Sequence, residues 1–168
     1  MSDQATHPRL AVTLLGSLDW ILPAALVASV IGAYQGVSYL HDARWSLGAL
    51  LFGGRFAVDG ATYGAAAWAA WNVTRRTNVV FGVGAGVLIG VATNGALRAL
   101  YQPISKVLLR LDDGPWSAMR EGVYEWIIGM QGLAFECLLV SLIFGGVAHL
   151  MRKSAPRAEA PVPPPVQP

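Results

Sequence analysis

The sequence predicts an all-α integral membrane protein with four transmembrane helices, and three observations carry that expectation. Charged residues make up 13% of the 168 positions, against about 25% in a soluble globular domain. Hydrophobic side chains reach 54% before any of the 19 glycines is counted, where about 45–50% including glycine is usual. Two stretches of 21 residues, 20–40 and 77–97, contain no acid or base; as helices each is about 31 Å long, matching the hydrocarbon core of a bilayer.

The first helix is expected over 20–40, between Asp19 and His41, after an N-terminal segment of residues 1–19. That segment resembles neither an Arg-rich transit peptide nor a secretory signal, so targeting would be internal. A second helix over 47–71 can span if Arg55 and Asp59 are tolerated, and a third runs over about 77–101. The fourth, 126–151, carries Glu136 near its middle. Trp20, Tyr39, Trp45, Trp71, Tyr101, Trp116 and Trp126 fall at or near these ends, the headgroup level that amphipathic rings prefer. The links 41–46 and 72–77 are short, which makes consecutive helices antiparallel neighbours. Between helices three and four, Ile104, Val107, Leu108 and Leu111 recur at i, i+3, i+4 and i+7 opposite Lys106 and Arg110. This pattern predicts a short amphipathic helix lying in the membrane interface. Asp112-Asp113-Gly114-Pro115 would end it, and Pro115 can open a segment leading into helix four. The tail 152–168, with six prolines, reads as an extended arm. Basic residues divide almost evenly between the two sides, so the positive-inside rule assigns no orientation.

Several function classes fall away on composition. A net charge of +2 creates no field that would attract nucleic acid. One cysteine, Cys137, allows neither an internal disulfide nor a cysteine metal cluster. His7, His41 and His149 are scattered, without metal-ligand spacing. The glycine-rich stretch from Phe81 to Gly86 fails as a nucleotide loop, because Val87 stands where a third glycine belongs and no Gly-Lys-Ser/Thr follows. No catalytic residue, cofactor, metal or small-molecule substrate is therefore expected.

What specificity remains lies in small residues and isolated charges. Gly82, Gly86 and Gly90 repeat every four residues and Asn94 continues their face; Gly32 and Gly36, then Gly60 and Gly64, share the spacing. Such faces let helix backbones approach closely, so these eight residues are candidate helix contacts. Arg55, Asp59 and Glu136 form a candidate intramembrane polar cluster, since each charge at the bilayer centre costs about 2.5–3.5 kcal/mol on insertion scales and must turn toward protein or water. Arg55 could bridge the two carboxylates, Glu136 could be neutral and hydrogen-bonded, or it could pair with a partner subunit.

Phe56-Ala57-Val58-Asp59-Gly60, the small-residue stretch at Tyr63-Gly64, basic Arg75-Arg76, Asn78 and the glycine ladder ending at Asn94-Gly95 together resemble the mitochondrial inner-membrane translocase family. Translocase members usually place an acidic, proline-containing stretch after the basic pair and an arginine before the Asn-Gly. Here Thr77-Asn78 follows Arg76 directly and Thr93 occupies the arginine's place. Both departures turn the resemblance toward the family's accessory subunit of respiratory complex I. The resemblance implies a multi-pass protein of the mitochondrial inner membrane, a non-catalytic structural subunit packed against membrane-arm subunits and lipids. A translocase component with a polar lateral groove is the alternative.

Overall fold

Alanine and glycine decide how the helices of this protein meet. In the computed structural model, residues 7–39, 45–108 and 114–154 are described. They form four α-helices, α1 (His7–Tyr39), α2 (Trp45–Arg76), α3 (Val79–Leu108) and α4 (Gly114–Ser154). α2 is the centre: it packs against α1, α3 and α4, while α3 also packs on α4. Among the described residues the largest fully buried side chains are Asn94, Thr62, Thr74, Cys137 and Ser141, and Ala66 and Ala70 are 0% exposed. Leu26, Val30 and Leu88 are 66%, 70% and 72% exposed.

This distribution is the reverse of a water-soluble core. In water each large aliphatic side chain left outside forfeits about 1.5–3 kcal/mol; in lipid, whose tails are as apolar as leucine, it forfeits nothing. Three stretches, Gly16–Val37, Val79–Leu108 and Trp116–Ser154, are long and apolar enough to cross a membrane. The chain is accordingly a multi-pass membrane protein. α2 is less apolar because alanine replaces leucine along much of its length and because it carries Arg55, Asp59, Arg75 and Arg76.

Close backbone approach runs the length of the α1–α2 contact. A Cβ added at Gly36 would stand 2.5 Å from the carbonyl oxygen of Gly48, one at Gly32 would stand 2.6 Å from that of Phe52, and one at Gly64 would stand 2.7 Å from that of Trp20. Gly60 presses equally on the Ala24 carbonyl. The α3 face continues the device: Gly82 lies against Ala70 and Thr74 of α2, Gly86 against Ala66 of α2 and Ser141 of α4, and Gly90 against Ala66 and Cys137. All seven glycines expected to make helix contacts thus meet helices of their own chain.

The helix ends are held by local hydrogen bonds. Residues 77 and 78 make the whole α2–α3 turn, and Asn78 caps α3, its Oδ1 accepting from the Phe81 N–H at 3.0 Å. Arg152, near the end of α4, donates to the carbonyls of Thr77 at 2.6 Å and Thr74 at 3.4 Å, a cation on the exposed acceptors of a helix C-terminus. Gly114 opens α4 with φ of 70°, in the left-handed region that favours glycine.

Three expectations are corrected. α1 starts at His7, so residues 7–19 are helical and not a separate segment. α2 runs five residues past Trp71, because Asn72 stays in the helix by donating to the Trp68 carbonyl at 3.0 Å and Thr74 is buried. Residues 104–108 are the end of α3, continuous through Pro103, and no separate interfacial helix forms among the described residues; Arg110, Leu111, Asp112 and Asp113 lie outside them. Contacts across the α3–α4 hairpin, Gln102 to Glu125 at 2.8 Å and Lys106 to Glu121, favour continuation of the helix over a turn into the interface. α4 includes the segment after Pro115, and its 41 residues extend about 60 Å, well beyond a hydrocarbon core of about 30 Å. The connection at 40–44 and the tail beyond Ser154 also lie outside the described residues.

Gly64→Leu should lower thermal stability of the full-length protein in detergent by about 1–3 kcal/mol through overpacking against α1. Gly84→Leu, where a Cβ would meet nothing within 4 Å, should change it by no more than about 0.5 kcal/mol.

Candidate functional site

Where the glycines of α3 end, polar side chains take over the same face. Asn94, Arg98 and Gln102 follow Gly90 in steps of four, one helical turn each. α2 runs antiparallel beside them and presents Thr62, Tyr63, Asp59 and Arg55. The buried Asn94 donates its Nδ2 to Thr62 Oγ1 at 3.0 Å, and the Thr62 hydroxyl donates to the Val58 carbonyl at 2.8 Å. One turn further, Arg98 faces Asp59 with 3.9 Å between Nη2 and Oδ1. α4 contributes Glu136, whose Oε2 accepts a hydrogen bond from the Tyr63 hydroxyl at 2.5 Å.

The three residues expected to cluster do gather in one region, with different partners. Arg98, Arg55 and Glu136 all lie within electrostatic reach of Asp59. Arg98 holds the ion pair with Asp59, and Tyr63 provides the hydrogen bond to Glu136. A bridge by Arg55 is therefore corrected. Arg55 sits one turn from Asp59, exposed at the helix surface, whereas Arg98 approaches from the neighbouring helix. Arg98 is the charge that bounds the run 77–97 free of acids and bases, and its place four residues after Asn94 sets it on the packed face. Tyr63, one turn after Asp59, is placed in the same way.

Beside this cluster a cleft of about 250 Å³ opens between α2, α3 and α4, lined by Arg55, Arg98, Tyr101, Gln102, Ser105 and Glu125. The Tyr101 hydroxyl donates to the Leu51 carbonyl at 2.5 Å, which ties α3 to α2. Trp20 and Trp126 behave likewise. Trp20 packs on Trp71 at 5.8 Å and edge-on to Phe144 at 5.5 Å. Trp126 covers Gly95 and donates its indole N–H to the Val91 carbonyl at 3.1 Å.

Chemically, the site holds fixed charge, orients a hydroxyl–carboxylate pair and presents guanidinium groups to a cleft. Among the described residues no three His, Cys, Asp or Glu side chains gather as a metal would require, and Cys137 is a buried free thiol. Comparison with family models, with curated proteins and with solved structures finds no match to the chain.

A double-mutant cycle of Tyr63→Phe with Glu136→Gln should return a coupling of about 1 kcal/mol in unfolding experiments. Arg98→Gln should destabilise the protein more than Arg55→Gln, by about 1 kcal/mol, because it leaves Asp59 without its ion pair.

Proposed function

We propose that the chain is a non-catalytic accessory subunit of a large membrane complex, with all four helices spanning and α2 as the central span. In line with the family resemblance, the proposed host is respiratory complex I of the mitochondrial inner membrane. The observation that carries the reading is the open face of α4. Gly129, Gly132 and Glu136 share one face at i, i+3 and i+7. A Cβ at either glycine would meet nothing within 4 Å, and Glu136 is exposed with Tyr63 as its partner.

The chain's other stepped glycines are consumed by its own helices, whereas this face is left over. Lipid supplies no hydrophobic drive for helices to associate, so close approach at small residues and a polar contact are what a neighbouring membrane subunit would use. Ile128 and Phe135 beside it are 65% and 60% exposed, adding apolar contact area.

The second reading is a translocase component, favoured by the charged cleft between α2, α3 and α4. Native gel electrophoresis of solubilised membranes, followed by mass spectrometry of the band, separates the two. Co-migration with complex I subunits is the expected result, and Gly132→Leu should reduce the assembled fraction several-fold while the free protein stays folded. Co-purification with a presequence receptor or a carrier substrate would favour the second reading. Absence from both assemblies overturns the accessory-subunit proposal.

A further inference from the structure

The carboxylates of α2 and α4 are all engaged, and none of them pairs with Arg55. Asp59 faces Arg98, Glu136 accepts from Tyr63, Glu125 accepts from Gln102 and Glu121 pairs with Lys106. Arg55 stands exposed, and no carboxylate among the described residues lies within ion-pair distance of it; Asp59, one turn away, acts on it only at longer range. Arg98 shares the cleft with Arg55. Its contact with Asp59 is long, at 3.9 Å through one nitrogen, so most of its five N–H donors stay uncommitted.

The rest of the cleft wall is already tied up. The Tyr101 hydroxyl donates to Leu51 and the Ser105 hydroxyl donates to the Gln102 carbonyl at 2.9 Å, while the Gln102 amide is spent on Glu125. The donors free to take a ligand are therefore the two guanidinium groups. Leu51, Phe52 and Val58 add apolar surface to the lining, and the Glu125 carboxylate, held by Gln102, is the one acid on the cleft wall among the described residues.

We propose that this cleft binds the phosphate headgroup of an anionic phospholipid, held between Arg55 and Arg98. Guanidinium forks match phosphate oxygens, and a tetrahedral phosphodiester can engage two of them at once where a flat carboxylate pairs best with one. Basic pockets between transmembrane helices are a recurrent mode of anionic headgroup recognition. The apolar lining takes the first carbons of the lipid, and the uncompensated arginine selects against the ammonium of a zwitterionic headgroup. This inference stands on the cleft alone and does not require a host complex.

Native mass spectrometry of the purified full-length protein in neutral detergent, titrated with phosphatidylglycerol, phosphatidylcholine or inorganic phosphate, tests it. Phosphatidylglycerol should be retained at least tenfold better than phosphatidylcholine. Arg55→Gln and Arg98→Gln should each lower that retention about tenfold, while Arg75→Gln, at the exposed end of α2, leaves it unchanged. Arg55→Lys keeps the charge but loses the fork; it should retain partial binding and guards against a fold defect in the neutral variant. Equal retention of the two lipids, or retention unaffected by Arg55→Gln, overturns the proposal. So does Arg55-dependent binding of inorganic phosphate without phosphatidylglycerol, which would mark a free-phosphate site. Loss of a co-purifying protein with Arg55→Gln while lipid retention holds would assign the arginine to a protein carboxylate, and likewise overturns it.

Discussion

Backbone-to-backbone proximity at glycine and alanine is the constraint from which the rest of the structure follows. Where Gly32, Gly36, Gly60 and Gly64 lock α1 to α2, and Gly82, Gly86 and Gly90 lock α3 to α2 and α4, no side chain larger than Asn94 is fully buried among the described residues. The large aliphatic residues are thereby forced outward, which only a lipid surround tolerates. The same constraint sets where the cleft opens. On the α3 face the step-of-four series changes from glycine to Asn94, Arg98 and Gln102. At that change tight packing gives way to space between the helices. One face of one helix therefore contains both the seam and the opening.

The treatment of charge follows from the same economy. Asp59 and Arg98 neutralise each other across two helices, so neither has to be matched within its own helix. Glu136 is met by a phenol, a partner that brings a donor without a second charge. Tyr101, Trp126 and Asn72 spend their polar atoms on main-chain carbonyls, since an unsatisfied group in hydrocarbon costs several kcal/mol. Hydrogen bonds join the helices of this bundle both through main-chain carbonyls and through paired side chains, and they fix rotation about the helix axes that small residues alone would leave loose.

Much of the fold was legible in the sequence because membrane helices announce themselves by missing charge. The number of helices, their antiparallel order and the stepped glycines could all be read that way. Boundaries could not, because a charge-free run marks the part of a helix that needs oil and says nothing of how far the helix projects beyond it. His7, Arg76, Leu108 and Gly114 lie outside those runs and still begin or end helices. Asp59 and Glu136 could be singled out as acids within long apolar stretches, but their partners could not. Arg98 looked like a boundary charge, and its role depends on the rotation of α3 against α2, a tertiary fact. The contacts of the aromatic residues could not be read either: that Trp20 packs on Trp71 and Phe144, and that Trp126 bonds to the Val91 carbonyl, depends on how the helices meet.

The clasp made by Arg152 on the Thr74 and Thr77 carbonyls joins one of the last helical residues to the turn between the second and third helices. During synthesis that turn leaves the ribosome some seventy residues before its cap exists. The α2–α3 pair must therefore wait, with its terminal acceptors bare, until α4 has been threaded back alongside it. Closure of this end of the bundle therefore waits on the last turn of α4, and a protein truncated before Arg152 would lose the latch that holds it shut.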